Sequence, residues 1–252
     1  MRNNYSFDFK NTFLNLTEYT VPYGYESQLE PCLPAGVQKD SFGNYFIRIG
    51  ESTTLFTAHL DTYSRERKKV SHVLDGTIIR TDGSTILGGD NKAGVTILLY
   101  LISKRVPGTY YFFIGEEVGC LGSRAALKSD ASFFAQFDRA VTFDRRKAGS
   151  IVTHQRCGRC CSDQFAEALS LQFLNQGLAY HADPYGVFTD TAVFVEVIPE
   201  CTNLSSGVWG EHTSEEYVDI LLLEQIARAA EGVNWEGLPA HRNIPIDYNQ
   251  VA

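Results

Sequence analysis

The apolar positions of this chain fall in short runs that alternate between a period of two and a period of three to four, with clusters of turn formers between them. Phe9, Phe13, Leu14 and Leu16 share one helical face, and a second short helix is expected over residues 26–33 after a turn at residues 20–24. Residues 45–49 alternate as a strand. Residues 54–58 form a second strand ending at His59-Leu60-Asp61, and residues 70–73 and 77–79 a hairpin. The run 95–102 follows a glycine pair and Asp90, whose simplest role is to cap a helix. Residues 110–114, 140–143 and 150–153 read as strands and residues 122–128 as a short helix. An amphipathic helix over residues 163–174 places Phe165, Ala168, Leu169 and Phe173 on one side. Residues 180–186 read as a loop and residues 201–205 as a last short strand. A long helix is expected over residues 214–231, with Leu221, Leu222 and Ile226 on its apolar side, and then a surface tail containing Pro239 and Pro245. Strands and helices alternate without repeat or linker, which predicts a single α/β domain over residues 1–252, with a helical preface at 1–36 and a tail at 239–252.

Composition narrows the class without changing that picture. With 252 residues, 44% of them hydrophobic and 21% charged, the chain has an ordinary globular make-up. A formal charge of -8 argues against a nucleic-acid partner or an anionic membrane surface. The longest apolar run, 95–102, is too short to span a bilayer, and the N-terminus lacks the apolar core of a signal peptide, so a cytoplasmic location is expected. The six cysteines fit that compartment as free thiols. Cys157, Cys160 and Cys161 contain one C-x-x-C without a second pair to complete a zinc site, and are expected as thiols at the start of a helix.

The chemistry concentrates at strand ends. Glu116 and Glu117 follow an apolar strand directly, and two adjacent carboxylates there repel one another unless a cation sits beside them. A metal resolves the cost, with one carboxylate as ligand and the other free to move a proton. His59 and Asp61 lie two apart on a strand and can share a face, which suits an imidazole ligand oriented by a carboxylate. Asp144 ends another apolar strand, followed by Arg145, Arg146 and Lys147. Together, His59, Asp90, Glu117, Asp144 and His212 could hold two ions, one carboxylate bridging and one histidine plus one carboxylate completing each. The mixed nitrogen and oxygen set suits two Zn²⁺ per chain, with Co²⁺ or Mn²⁺ as alternatives.

The series H-L-D, G-G-D-N-K-A-G, G-E-E-V-G-C-L-G-S, F-D and H-T-S-E-E-Y resembles the dizinc exopeptidase clan, which includes the bacterial leucyl aminopeptidases, the glutamate carboxypeptidases and the glutaminyl cyclases. The resemblance runs from about residue 40 to residue 231. It implies that Asp90 bridges, that His59 and Asp144 complete one zinc and Glu117 and His212 the other, that Glu116 is the general base, and that Asp61 orients His59. The spans from His59 to Asp90 and from Asp144 to His212 are too short for the inserted domains of the larger members, so the likeness is to the compact, leucyl aminopeptidase-like branch. Its fold is a mixed, mostly parallel sheet flanked by helices, a three-layer sandwich.

The implied activity is metal-dependent hydrolysis of a peptide bond, with a peptide, aminoacyl or acyl-amino-acid substrate, and an aminopeptidase is favoured. A carboxypeptidase or N-acyl-amino-acid hydrolase would need a cation for a carboxylate, which Arg145 and Arg146 offer unless they are simply solvated. A metal-binding but non-hydrolytic module is the alternative of another class. Tyr185 is expected to be an exposed loop residue, Trp209 is as compatible with packing as with a substrate wall, and nothing in the pattern specifies an oligomeric state.

Overall fold

The computed structural model describes residues 7–156 and 158–244, so Cys157 and Pro245 lie outside the described residues. In chain order the strands are β1 (Gln38–Lys39), β2 (Tyr45–Ile49), β3 (Thr54–His59), β4 (His72–Asp75), β5 (Ile78–Thr81), β6 (Gly108–Phe113) and β7 (Arg139–Arg145). They continue with β8 (Ser150–Val152), β9 (His154–Gln155), β10 (Gly158–Arg159), β11 (His181–Asp183), β12 (Glu200–Ser205), β13 (Val208–Trp209) and β14 (Tyr217–Asp219). The α-helices are α1 (Phe9–Leu16), α2 (Gly89–Ser103), α3 (Leu121–Ser129), α4 (Ala131–Phe134), α5 (Asp163–Asn175) and α6 (Ile220–Glu231).

Eight strands make one mixed sheet in the order β1-β2-β6-β3-β7-β12-β8-β11. The pairings among β6, β3, β7 and β12 are parallel, and β2 and β1 close one edge antiparallel. Central parallel strands must be covered on both faces, which is why β3 and β6 are buried at every position. Successive side chains split between two cores, as the pleat requires. Phe56, Tyr110 and Phe112 face the larger core with α1, α2, α5 and α6, whereas Leu55, Tyr111 and Phe113 face a smaller one with Phe134, Phe194 and Ile198. Helices therefore cover both faces of a mixed sheet, as expected, in a single compact α/β domain. The Ser162 and Asp219 side chains cap α5 and α6 by accepting N–H groups from Phe165 and Leu221.

Four elements differ from expectation. The hairpin lies at β4 and β5, later than predicted, because Val70 packs into the core and the turn is set at Gly76 with φ +60°. The last helix begins at Ile220, since residues 217–219 form β14, paired with β5 and β13 in a four-stranded sheet. The expected loop at 180–186 contains β11, which adds a parallel edge strand beside β8. Cys160 and Cys161 are buried against the Val152 carbonyl, following β10, rather than opening a helix. Among the described residues no helix is long and apolar enough to cross a membrane.

Candidate metal centre

The residues singled out in the sequence meet at the C-terminal ends of β3, β6 and β7, where open α/β sheets place their sites. His59 ends β3, and the Glu116-Glu117 pair follows β6 through Gly115, whose φ of +70° turns the chain sharply after the strand. Asp144 lies near the end of β7. Asp90 stands at the start of α2 but does not cap it. The cap position is Gly88, Asp90 itself is non-helical at φ -80° and ψ 106°, and Asn91 Oδ1 accepts the Gly94 N–H at 3.1 Å instead. Asn91 thus takes the capping role, and the Asp90 carboxylate is left to face two histidines.

Asp90 Oδ1 lies 3.2 Å from His59 Nε2, and its Oδ2 lies 3.1 Å from His212 Nε2. Asp144 Oδ1 is 3.5 Å from His59 Nε2, and Glu117 Oε1 is 3.0 Å from His212 Nε2. The donor atoms of His59, Asp90 and Asp144 lie within 4.8 Å of one another, as do those of Asp90, Glu117 and His212 and those of His59, Glu116 and Glu117. The first two groups share Asp90 and divide the donors as a bridged pair would. The third places Glu116 beside both.

The donor set fits cations. Four carboxylates and two imidazoles converge, and among them His59 Nδ1, Glu117 Oε1 and Asp144 Oδ1 are buried without a hydrogen-bond partner. The charge imbalance shows in the acidities. Burial, reinforced by Asp144, Asp190 and Glu117, pushes Glu116 up to about 10 against the pull of His59. Asp144 is pushed up to about 7 by burial and by Asp90. Burial opposes the charged form of His59, but Asp144, Asp61 and Asp90 hold its pKa well above the usual 6.5. His212 rises to about 11 through Asp90 and Glu117. In the absence of another cation the two imidazoles supply the positive charge that the carboxylates require.

Asp61 is fully buried, and its Oδ1 lies 3.3 Å from His59 Nδ1 without hydrogen-bonding geometry. Its two oxygens accept the Glu116 and Glu117 N–H groups, each at 3.0 Å, so one carboxylate ties the β3 end to the glutamate turn. Several supporting residues escaped the sequence reading. Glu216, 1% exposed, accepts N–H groups from Gly88 and Asp90 at 2.7 and 2.9 Å, fixing the turn that carries Asp90. Lys92 Nζ, also buried, donates to the Asp61 carbonyl and to Thr62 Oγ1. Thr189 Oγ1 donates to Asp144 Oδ2 at 2.6 Å, and Asn203 Oδ1 accepts the Asp144 N–H at 2.9 Å. Tyr63 stacks on His212 with ring centroids 4.3 Å apart. Glu216 and Lys92 lie inside the motifs already quoted. The available signal was a charged residue close in sequence to a candidate ligand, Lys92 after Asp90 and Glu216 after His212.

A cleft of about 370 Å³ opens over the cluster, lined by Asp90, Glu116, Asp144 and His212 with Val187, Phe188 and Val208 as apolar walls. Arg145 and Arg146 reach it but are engaged, Arg145 by Asp183 at 3.0 Å and by the Tyr185 carbonyl, Arg146 by Glu211 at 3.1 Å. Tyr185 is 81% exposed, and Trp209 stacks on Tyr217.

No family model matches the chain. It is similar to the uncharacterised protein YqjE of Bacillus subtilis (strain 168), with 35% identity over 107 residues, 40% of this chain. The matched part spans only 28% of that relative's length. Among solved structures, the aminopeptidase PepT of Bacillus cereus ATCC 10987 superimposes with a TM-score of 0.73 and 15% identity, over 90% of this chain and 97% of that one. A tripeptidase of Staphylococcus aureus subsp. aureus Mu50 gives a TM-score of 0.73 at 16% identity over the same shares. The TET1 peptidase of Pyrococcus horikoshii gives 0.67 at 16% identity, over 91% of this chain and all of that one. At these identities the likeness establishes a shared fold: a mixed α/β sandwich of the kind on which these peptidases are built.

Proposed function

We propose that this chain is a metal-dependent aminopeptidase of the compact, leucyl aminopeptidase-like branch of the dizinc exopeptidase clan. The observation that carries the reading is the meeting of His59, Asp90, Asp144, Glu117 and His212 in two three-residue groups that share Asp90. Asp90, His59 and Asp144 would hold one Zn²⁺ and Asp90, Glu117 and His212 the other, with Co²⁺ or Mn²⁺ as substitutes. Ions bound there supply Lewis acidity toward a carbonyl oxygen and lower the pKa of water toward neutrality. The chain's own residues do the rest. Asp61 keeps His59 in one orientation, and the Thr189 hydroxyl and Asn203 amide oxygen keep Asp144 in another. Glu116, half-shielded at the floor of the cleft, takes a proton from the attacking water and passes it to the leaving amine nitrogen. Burial and the neighbouring carboxylates favour the protonated form of Glu116, and cations held beside it would reverse that, leaving the ionised carboxylate a base requires.

The aminopeptidase form is supported over carboxypeptidase or acyl-amino-acid hydrolysis by the pairing of Arg145 and Arg146, whose charges are matched by Asp183 and Glu211. With both arginines paired, neither is free to hold a substrate carboxylate in the cleft over Glu116. The names of the structural neighbours, aminopeptidase and tripeptidase, agree with it. Free thiols at all five described cysteines agree with a reducing, cytoplasmic compartment. The test is Glu116→Gln assayed on aminoacyl-p-nitroanilides and tripeptides. The variant is expected to keep its metal content while its rate falls about 10²–10⁴-fold. Parental rates in that variant would show that Glu116 is not the base, and an absence of turnover in the parent would favour a binding module instead.

A further inference from the structure

Two recesses border the carboxylate–histidine cluster, one at Glu116 and one at Glu117, and their charged groups differ. On the Glu116 side the arginines are matched by Asp183 and Glu211, and Glu116 is the carboxylate not assigned to an ion or an arginine. On the Glu117 side lies a recess of about 450 Å³ lined by Tyr23, Thr62, Tyr63, Arg65, Glu117 and Val118. Tyr23, Tyr63 and Val118 are 43%, 54% and 50% exposed, an apolar shelf at the mouth of a charged site. Tyr63 is also the ring stacked on His212, so the shelf adjoins the metal-binding residues directly. The loop that carries Tyr63 is rich in cations, and all but one are engaged. Arg67 lies over Tyr19, Lys68 pairs with Glu66, and Lys69 pairs with Glu18. Arg65, exposed at the rim, has neither an ion pair nor a hydrogen bond among the described residues.

Resting on the aminopeptidase reading, we infer that this recess receives the C-terminal end of a short peptide, with the terminal carboxylate on Arg65 and the last side chain on the Tyr23–Tyr63–Val118 shelf. The unmatched charge of Arg65 fixes the direction in which a short peptide lies. Its carboxylate is attracted by Arg65 and its ammonium group repelled, so the ammonium end is left toward the Glu116 cleft, where both arginines are already paired. The guanidinium fork matches a carboxylate bidentately, and the rings supply area for a bulky apolar side chain. The substrate class is therefore short peptides with a free C-terminus and a large apolar last residue, rather than the ends of long chains.

The experiment compares kcat/KM for tripeptides ending in Phe or Gly, each as the free acid and as the C-terminal amide, in the parent, Arg65→Gln and Arg65→Lys, with an aminoacyl-p-nitroanilide alongside. The parent is expected to favour the acid by about tenfold or more, the worth of one charge-assisted contact, and to favour Phe over Gly at the last position. Arg65→Gln should bring the acid-to-amide ratio close to one through a higher KM for the acid, and Arg65→Lys should restore part of it. An acid-to-amide ratio near one in the parent, or a ratio that Arg65→Gln leaves unmoved, overturns the inference. If the p-nitroanilide is hydrolysed without any acid preference, only this inference falls. If no substrate with a free α-amine is hydrolysed, the aminopeptidase reading falls with it.

Discussion

Gly94 sits in the first turn of α2 against the end of β7, and replacing it with alanine should separate the two elements that carry Asp90 and Asp144. A Cβ at this position would lie 2.2 Å from Asn91 Oδ1 and 2.4 Å from the Phe143 carbonyl oxygen. The second contact is with backbone, so it cannot be relieved by rotating a side chain; reaching van der Waals distance takes about 1 Å of movement between helix and strand. Asn91 directly follows Asp90, and Phe143 directly precedes Asp144. The displacement therefore falls on the separations of His59 Nε2 from Asp90 and Asp144, now 3.2 and 3.5 Å. Overpacking of this kind costs about 1–3 kcal/mol, and for a chain of this length each kcal/mol lowers Tm by about 2–4 °C. A misplacement of about 1 Å among reacting groups costs on the order of 10²-fold in rate. Gly232→Ala is the control, because the atoms nearest its Cβ would be the flexible end of Gln176 and none belongs to the cluster. Calorimetry, metal content and kcat/KM at 25 °C should show Gly94→Ala folded but poorly metallated and slow, and Gly232→Ala close to the parent. Full rate and full metal content in Gly94→Ala would refute the idea that the α2–β7 contact sets the ligand geometry.

Two further outcomes follow from the same structure. Asp61→Asn removes the carboxylate that faces His59 and accepts two N–H groups from the glutamate turn; competition with a chelator should show metal affinity lower by about 10–100-fold, and an unchanged affinity would remove its orienting role. His72 is half-buried against Thr17, and burial lowers its pKa below the usual 6.5. The unfolded chain then binds a proton below pH 6.5 that the folded chain refuses, so stability falls as pH drops from 6.5 toward the folded value. The difference in denaturation midpoint between the parent and His72→Gln should narrow over that window, and a difference independent of pH would exclude the effect.

Much of the candidate site was legible because His59, Asp144 and the Glu116-Glu117 pair each follow an apolar run, and strand ends announce themselves by a change of polarity. The Glu116-Glu117 pair stood out for an electrostatic reason, and His59-x-Asp61 for a pleat reason, both local. Asp90 was harder. A carboxylate after two glycines looks like a cap, and only the tertiary placement of His59 and His212 makes Asn91 the better one. Glu216 was invisible for a similar cause: in sequence it continues a polar run into a helix, but β5 recruits residues 217–219 as a strand and turns the Glu216 carboxylate inward onto Gly88 and Asp90. The strand β11 went unread because it is only three residues long, His181-Ala182-Asp183, and lies at a sheet edge, where neither periodicity nor burial leaves a mark.

The central proposal is a pair of cations bridged by Asp90, and equilibrium dialysis of the metal-stripped chain against Zn²⁺ tests it most directly. The expected result is saturation at two Zn²⁺ per chain in the parent, at one in His212→Ala, and loss of both tight sites in Asp90→Ala. Saturation at one ion or none in the parent, or an Asp90→Ala chain that still binds two, would contradict it.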